Sequence, residues 1–145
     1  MEIDPNAPVQ SHHTIQINAS VERTWSLIAD IGHWSLWNAA ITGEEFDGGL
    51  IPGNTFKWTS GGTKIVSTIQ TVEPLHRLGW TGKSLGTVAR HVWILEPSAN
   101  SVKVITEESF SGWMVSILKG QLQKMLDKSL QAWLSNLKRE AESKG

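Results

Sequence analysis

The stretch GWMVSILKGQLQKMLDKSLQAWLSNLKREAES, Gly112–Ser143, decides how the rest of the chain must fold. It contains no proline, and after Trp113 its only glycine is Gly120. Met114, Ile117, Leu118, Leu122, Met125, Leu126, Ser129, Leu130, Trp133, Leu134 and Leu137 recur at steps of three and four, which predicts one helix with a broad apolar stripe. Lys119, Gln123, Asp127, Lys128, Gln131, Lys138 and Glu140 fall largely between those positions. About thirty helical residues run roughly 45 Å. A helix of that length is stable in water only against a large apolar partner.

The chain upstream supplies that partner. His12–Asn18 alternates polar and apolar residues and reads as a first strand. Ser20 is placed to cap a helix in which Val21, Trp25 and Ile28 share a face, and Gly32 stops it. His33–Trp37 adds one further helical turn. Six strands follow: Ile41–Phe46, Asn54–Ser60, Thr63–Val72, Arg77–Thr81, Thr87–Glu96 and Ser101–Phe110. The turns between them carry Asp47-Gly48-Gly49, Gly61-Gly62, Glu73-Pro74, Gly82–Gly86 and Pro97–Asn100. Tight turns between successive strands imply an antiparallel, curved sheet. The expected architecture is α+β, in the order β-α-α-β6-α, with about seven strands gripping the terminal helix. Residues 12–143 read as one domain, and residues 1–11, with Pro5 and Pro8, as a flexible arm.

Composition bounds the function. Thirteen Lys and Arg against fourteen Asp and Glu leave a net charge of −1, which argues against a nucleic-acid partner. The absence of cysteine removes disulfides and thiolate chemistry. No apolar run is long enough to span a bilayer, and the first residues lack the order of a signal peptide, so a soluble cytoplasmic protein is expected, as monomer or homodimer. The His residues lack ligand spacing, so no metal is expected. Eight Trp with no Tyr predict an interior with aromatic walls.

Alternation along the strands sorts the side chains. Val102, Val104, Thr106, Glu108 and Phe110 form the more apolar face of the last strand and are placed inward; Ala89, His91, Trp93 and Leu95 are placed inward on the strand before it. Phe56 with Trp58, and Leu78 with Trp80, share faces of their strands. His91 and Glu108 would thus stand together in an apolar interior, where a few convergent polar groups are the usual make-up of a small-molecule site. Each is also open to a plain structural role, His91 as a satisfied core histidine and Glu108 as a carboxylate tying down the last strand.

The opening pair Ser20–Asp30 and Trp34–Asn38 resembles the start of the START-like (SRPBCC) superfamily, above all its polyketide cyclase/dehydrase branch. Val72-Glu73-Pro74, Leu78-Gly79-Trp80, His91-Val92-Trp93 and Glu108–Gly112 continue the resemblance, which spans about residues 12 to 140. It implies a helix-grip fold with a hydrophobic cavity between sheet and terminal helix and a small hydrophobic ligand, with no cofactor called for. His91 and Glu108 are then candidate catalytic residues. Trp34, Trp37, Phe56, Trp58, Trp80, Trp93, Phe110, Ile117, Gln121 and Met125 are candidate ligand contacts. Two functions follow: cyclisation or dehydration of a flat, polyketide-like substrate by proton transfer, or non-catalytic carriage or sensing of a hydrophobic molecule.

Overall fold

The computed structural model describes residues 1–143. Seven strands form one antiparallel sheet: β1 (Val9–Ile17), β2 (Ile41–Glu45), β3 (Thr55–Ser60), β4 (Thr63–Glu73), β5 (Arg77–Ser84), β6 (Thr87–Pro97) and β7 (Val102–Ser111). Their spatial order is β1-β7-β6-β5-β4-β3-β2, so every neighbour after β1 is a hairpin neighbour in sequence. β1 closes the far edge on β7 with Val9 opposite Phe110 and Ile17 opposite Val102. Between β1 and β2 lie helix α1 (Val21–Ala29) and a 3₁₀ segment, Ile31–Leu36. The Ser20 hydroxyl caps α1 by accepting from the Arg23 N–H at 3.0 Å. After β7 come α2 (Trp113–Ile117) and α3 (Lys119–Ser143). The concave face of the sheet grips α3, which is the helix-grip architecture the strand pattern called for.

Two elements depart from the expectation. The terminal helix is not continuous from Gly112. Leu118 takes φ −109° and ψ 28°, outside helical values, and splits α2 from α3. Spacing alone does not show such a break, because the three- and four-residue steps carry across it. Second, β1 begins at Val9 rather than His12, and the residues before it lie against the sheet. The Met1 α-amino group donates to Thr71 Oγ1 at 2.8 Å, Arg77 donates to the Met1 carbonyl at 3.1 Å, and the Asp4 N–H donates to Ser109 Oγ at 3.0 Å. The polar, proline-containing composition hid these contacts.

The core is aromatic at one end. Trp34, on the 3₁₀ segment, lies 5.6 Å from Phe56, 5.1 Å from Trp58, 5.1 Å from Trp80 and 5.2 Å from Trp133, centroid to centroid. Most of these contacts are edge-on, the arrangement the ring quadrupole favours. Its indole N–H donates to the Ile28 carbonyl at 3.0 Å, so burial leaves no unpaired donor on this ring. On α3, Leu126, Leu130, Trp133, Leu134, Leu137 and Ala141 are buried and complete the core.

Candidate functional site

The inward side chains of β5 and β6 change size along their length. On β5 they run Leu78, Trp80, Gly82, Ser84; on β6 they run Leu95, Trp93, His91, Ala89, Thr87. Large rings fill the space at the end covered by the 3₁₀ segment. Small side chains leave it open at the other end, where Gly82 sits opposite Ala89 and Ala89 opposite Phe110. On the helix side the residues facing this space include Ser129 and Ala132. The outcome is a cavity of about 670 Å³ between sheet and α3, reaching the surface beside α2 and the β5–β6 turn. That volume falls within the usual range for small-molecule sites. Its walls are mainly apolar: Trp58, Ile65, Phe110, Leu122, Leu126 and Trp133 are among them, and Glu108 is the acidic group on the lining.

The structure therefore divides the candidate ligand contacts. Trp58, Phe110 and Met125 line the cavity. Phe56, Trp80 and Trp93 point inward as alternation predicted, but they and the two indoles suggested by the resemblance, Trp34 and Trp37, are buried in the packed aromatic end and do not line it. Ile117 is exposed on α2, because the break at Leu118 turns that short helix off the line of α3. Gln121 is exposed near the start of α3 and does not line the cavity. Sequence reasoning did not single out Gly82 and Ala132, and it placed Ala89 inward and Ser129 on the helix stripe without naming either as a site residue; these four small residues make the room. The signal was present as the switch from large to small inward residues on β5 and β6.

His91 and Glu108 are directly opposite across β6 and β7. His91 Nδ1 lies 3.4 Å from Glu108 Oε1. Glu108 faces the cavity, and His91 stands behind it without reaching the lining. The spacing would suit an ion pair, but burial opposes both charges. It pushes the Glu108 carboxyl up to about 8 and the His91 imidazole down to about 3. The Glu108 side chain keeps 13% of its exposure and His91 1%. We therefore read two neutral groups, since separating buried charge from water costs more than this long contact returns.

Thr106 anchors the His91 ring from behind. Thr106 Oγ1 lies 2.8 Å from His91 Nε2 and 3.4 Å from the Val92 carbonyl. The Thr106 hydroxyl carries one proton, for which His91 Nε2 and the more distant Val92 carbonyl compete, so Nε2 is paired with Thr106 in either tautomer. His91 Nδ1 is buried and makes no hydrogen bond. The Glu108 carboxyl is the ionisable group nearest to it, at 3.4 Å. With no hydrogen bond to His91, the carboxyl proton is free to meet an acceptor in the cavity. Among the described residues no cluster of His, Asp or Glu is arranged to hold a metal, and no helix is long and apolar enough to cross a membrane.

Comparison with known proteins agrees with this geometry. No curated protein matches the sequence. A START superfamily protein of Mycobacterium smegmatis superposes with a TM-score of 0.82 at 12% identity, over 94% of this chain and 99% of that one. A hypothetical protein of Helicobacter pylori, jhp0584, gives 0.78 at 19% identity, over 92% and 87%. TTHA0849 of Thermus thermophilus gives 0.75 at 15% identity, over 91% and 96%. At these identities the likeness is one of fold. The family model for polyketide cyclase/dehydrase and lipid transport matches residues 8–142, nearly the whole length. A gripped terminal helix, a cavity opening beside its first turn and that match together make this chain a member of the polyketide cyclase/dehydrase and lipid transport family, within the START-like fold.

Proposed function

We propose that the cavity binds one small hydrophobic, carbonyl-bearing molecule, flat or polyketide-like, and that Glu108 presents a proton to its carbonyl oxygen. The observation behind this reading is a neutral carboxyl facing an apolar cavity, with its pKa pushed up to about 8. A carboxylic acid that stays protonated near neutral pH can donate where an ordinary glutamate cannot. In a cyclisation or dehydration, partial proton transfer from Glu108 to the carbonyl or departing hydroxyl oxygen would stabilise the developing negative charge. His91, neutral at 3.4 Å behind Glu108, offers it no positive charge that would draw off its proton. Trp58, Trp133 and Phe110 supply flat apolar surface for the ring system. The reading requires no cofactor.

A carrier without chemistry is the second reading, and one observation favours it. His91 does not line the cavity, so no second acid or base is paired with Glu108 inside it. The test is to incubate wild type, Glu108→Gln and Ala89→Phe with enolisable aromatic polyketones and to follow substrate by mass spectrometry. For the enzyme, wild type should convert substrate, Glu108→Gln should bind it and lose at least about a hundred-fold in rate, and Ala89→Phe should not bind. Tight binding with the molecule recovered unchanged from wild type would favour the carrier. No binding by wild type to any apolar ligand would end both readings.

A further inference from the structure

The outer rim of the cavity mouth combines two features that the binding reading does not use. The first is apolar side chains left in water. Leu85, at the tip of the β5–β6 turn, is 78% exposed; Trp113 and Ile117, on α2, are 60% and 71% exposed; Met125, on α3, is 51% exposed. Leu85 and Met125 also line the cavity, and Trp113 and Ile117 stand on α2 with Met114, which lines it too. Trp113 is held in place rather than loose. The Met114 N–H donates to the Gly86 carbonyl at 3.1 Å. A Cβ on Gly86 would come within 2.7 Å of the Trp113 ring, so the indole lies directly on the turn. Exposing a large aromatic ring on a short, fixed helix loses apolar burial with no return inside the monomer.

The second feature is charge. Three segments frame the mouth: residues 60–66, 81–90 and 112–128. On the mouth side they hold Lys83 and Lys128 on the lining and Lys119 and Lys124 on α3 against one acid, Asp127, in a chain whose net charge is −1, while Lys64 and Arg90 alternate onto the convex face of the sheet. Asp127 is turned away, toward Ser11 and His13 on β1. The lysines of the mouth are exposed, and among the described residues the ion pairs made by Lys and Arg involve Arg23, Lys103 and Lys138 instead. Acidic residues gather elsewhere: Glu44, Glu45 and Asp47 lie around the start of β3.

We propose that this end of the molecule docks on anionic phospholipid bilayers, with Leu85, Trp113, Ile117 and Met125 entering the interface and the lysines meeting the headgroups. Separate apolar points ringed by Lys, with an indole among them, suit a deformable lipid surface. A second copy of the chain is disfavoured, because a two-fold contact would set lysine against lysine. Docked this way, the mouth faces the acyl chains, and a hydrophobic molecule can pass between bilayer and cavity without crossing water.

Vesicle flotation tests the proposal and needs no cavity ligand, so its failure would leave the binding reading standing. Wild type is mixed with vesicles of phosphatidylcholine alone and of phosphatidylcholine with phosphatidylglycerol. Two double variants accompany it, Trp113→Ser/Ile117→Ser and Lys119→Glu/Lys124→Glu; all four positions are exposed, and folding is checked by thermal melting. Wild type should float with the anionic vesicles and bind neutral ones at least about ten-fold more weakly, with binding reduced by salt. Each double variant should lower binding to anionic vesicles by about ten-fold or more. Failure of wild type to bind anionic vesicles would overturn the proposal, as would double variants that stay within about two-fold of it. Capture by poly-glutamate without vesicle binding would assign the surface to an acidic protein partner and equally overturn it.

Discussion

Glu108 and His91 are the residues whose protonation couples the fold to pH. The folded pKa of Glu108 is raised from 4.5 to about 8, so the stability linked to its neutral form is full below 4.5 and is lost as pH rises through 8. The folded pKa of His91 is lowered from 6.5 to about 3, so its share is full above 6.5 and is lost as pH falls toward 3. Between 4.5 and 6.5 the two slopes cancel: folded and unfolded chains each carry one proton on this pair. Denaturant titration of wild type should therefore show a plateau there, and a decline from 6.5 to 8 of roughly 1 kcal/mol per pH unit from this pair. Glu108→Gln should remove the decline and, with its cancelling slope gone, carry the acid limb up to 6.5. If the variant declines as steeply as wild type, Glu108 is not the neutral acid described here.

Trp34 poses a separate question at the same scale. It is fully buried against four aromatic rings, and its indole N–H is satisfied. Trp34→Ala should cost roughly 3–5 kcal/mol by equilibrium unfolding, from lost burial and the cavity left behind. A loss below about 1 kcal/mol would mean that the rings repack around the gap.

At the level of elements, the hairpins and the gripped helix were legible because their signals are local. Period-two alternation, paired glycines and a three-to-four repeat each fix an element without knowledge of its neighbours. The inward faces of β6 and β7 were legible for the same reason, which is why His91 and Glu108 were found together. What was not legible depends on three-dimensional volume. Trp80, Trp93 and Phe56 carry the same alternation signal as Trp58, yet of the four only Trp58 meets the cavity, because Trp34 packs over Phe56 and Trp80 while Trp93 is enclosed by His91 and Trp133. Ile117 fits the helical repeat, but the turn at Leu118 removes it from the stripe.

The junction between β7 and α2 depends on Gly112. Its φ is +120°, and a Cβ there would collide with the Gly86 carbonyl oxygen. Gly112→Ala should therefore lower stability by about 2 kcal/mol or more. Gly120, on α3, is the control: a Cβ there meets nothing within 4 Å, and Gly120→Ala should add about 0.5–1 kcal/mol through helix propensity. Equal effects of the two changes in thermal unfolding would show that α2 does not rest on the β5–β6 turn in this way.

For the whole molecule, the chain divides its interior into a filled half and an open half. Rings from β3, β5, β6, the 3₁₀ segment and α3 make the filled half rigid. Gly82, Ala89, Ser129 and Ala132 make the open half, and Glu108 stands on its wall beside the boundary His91. Stability and binding are thus carried by different stretches of the same strands. That division explains how a domain of this size can keep a cavity of about 670 Å³ without surrendering its core.

The three methionines allow the most direct test, because they report from opposite faces. Met114 and Met125 line the cavity, whereas the Met1 side chain lies over Gly79 on the convex face of the sheet. With ¹³C-methyl methionine, an NMR titration with an anthraquinone and a long-chain fatty acid reads all three at once. Saturable shifts at Met114 and Met125, with Met1 unmoved and the shifts abolished in Ala89→Phe, are the predicted result. Methyl signals that stay in place with both probes, or that move equally at Met1, would contradict a ligand site between the sheet and α3.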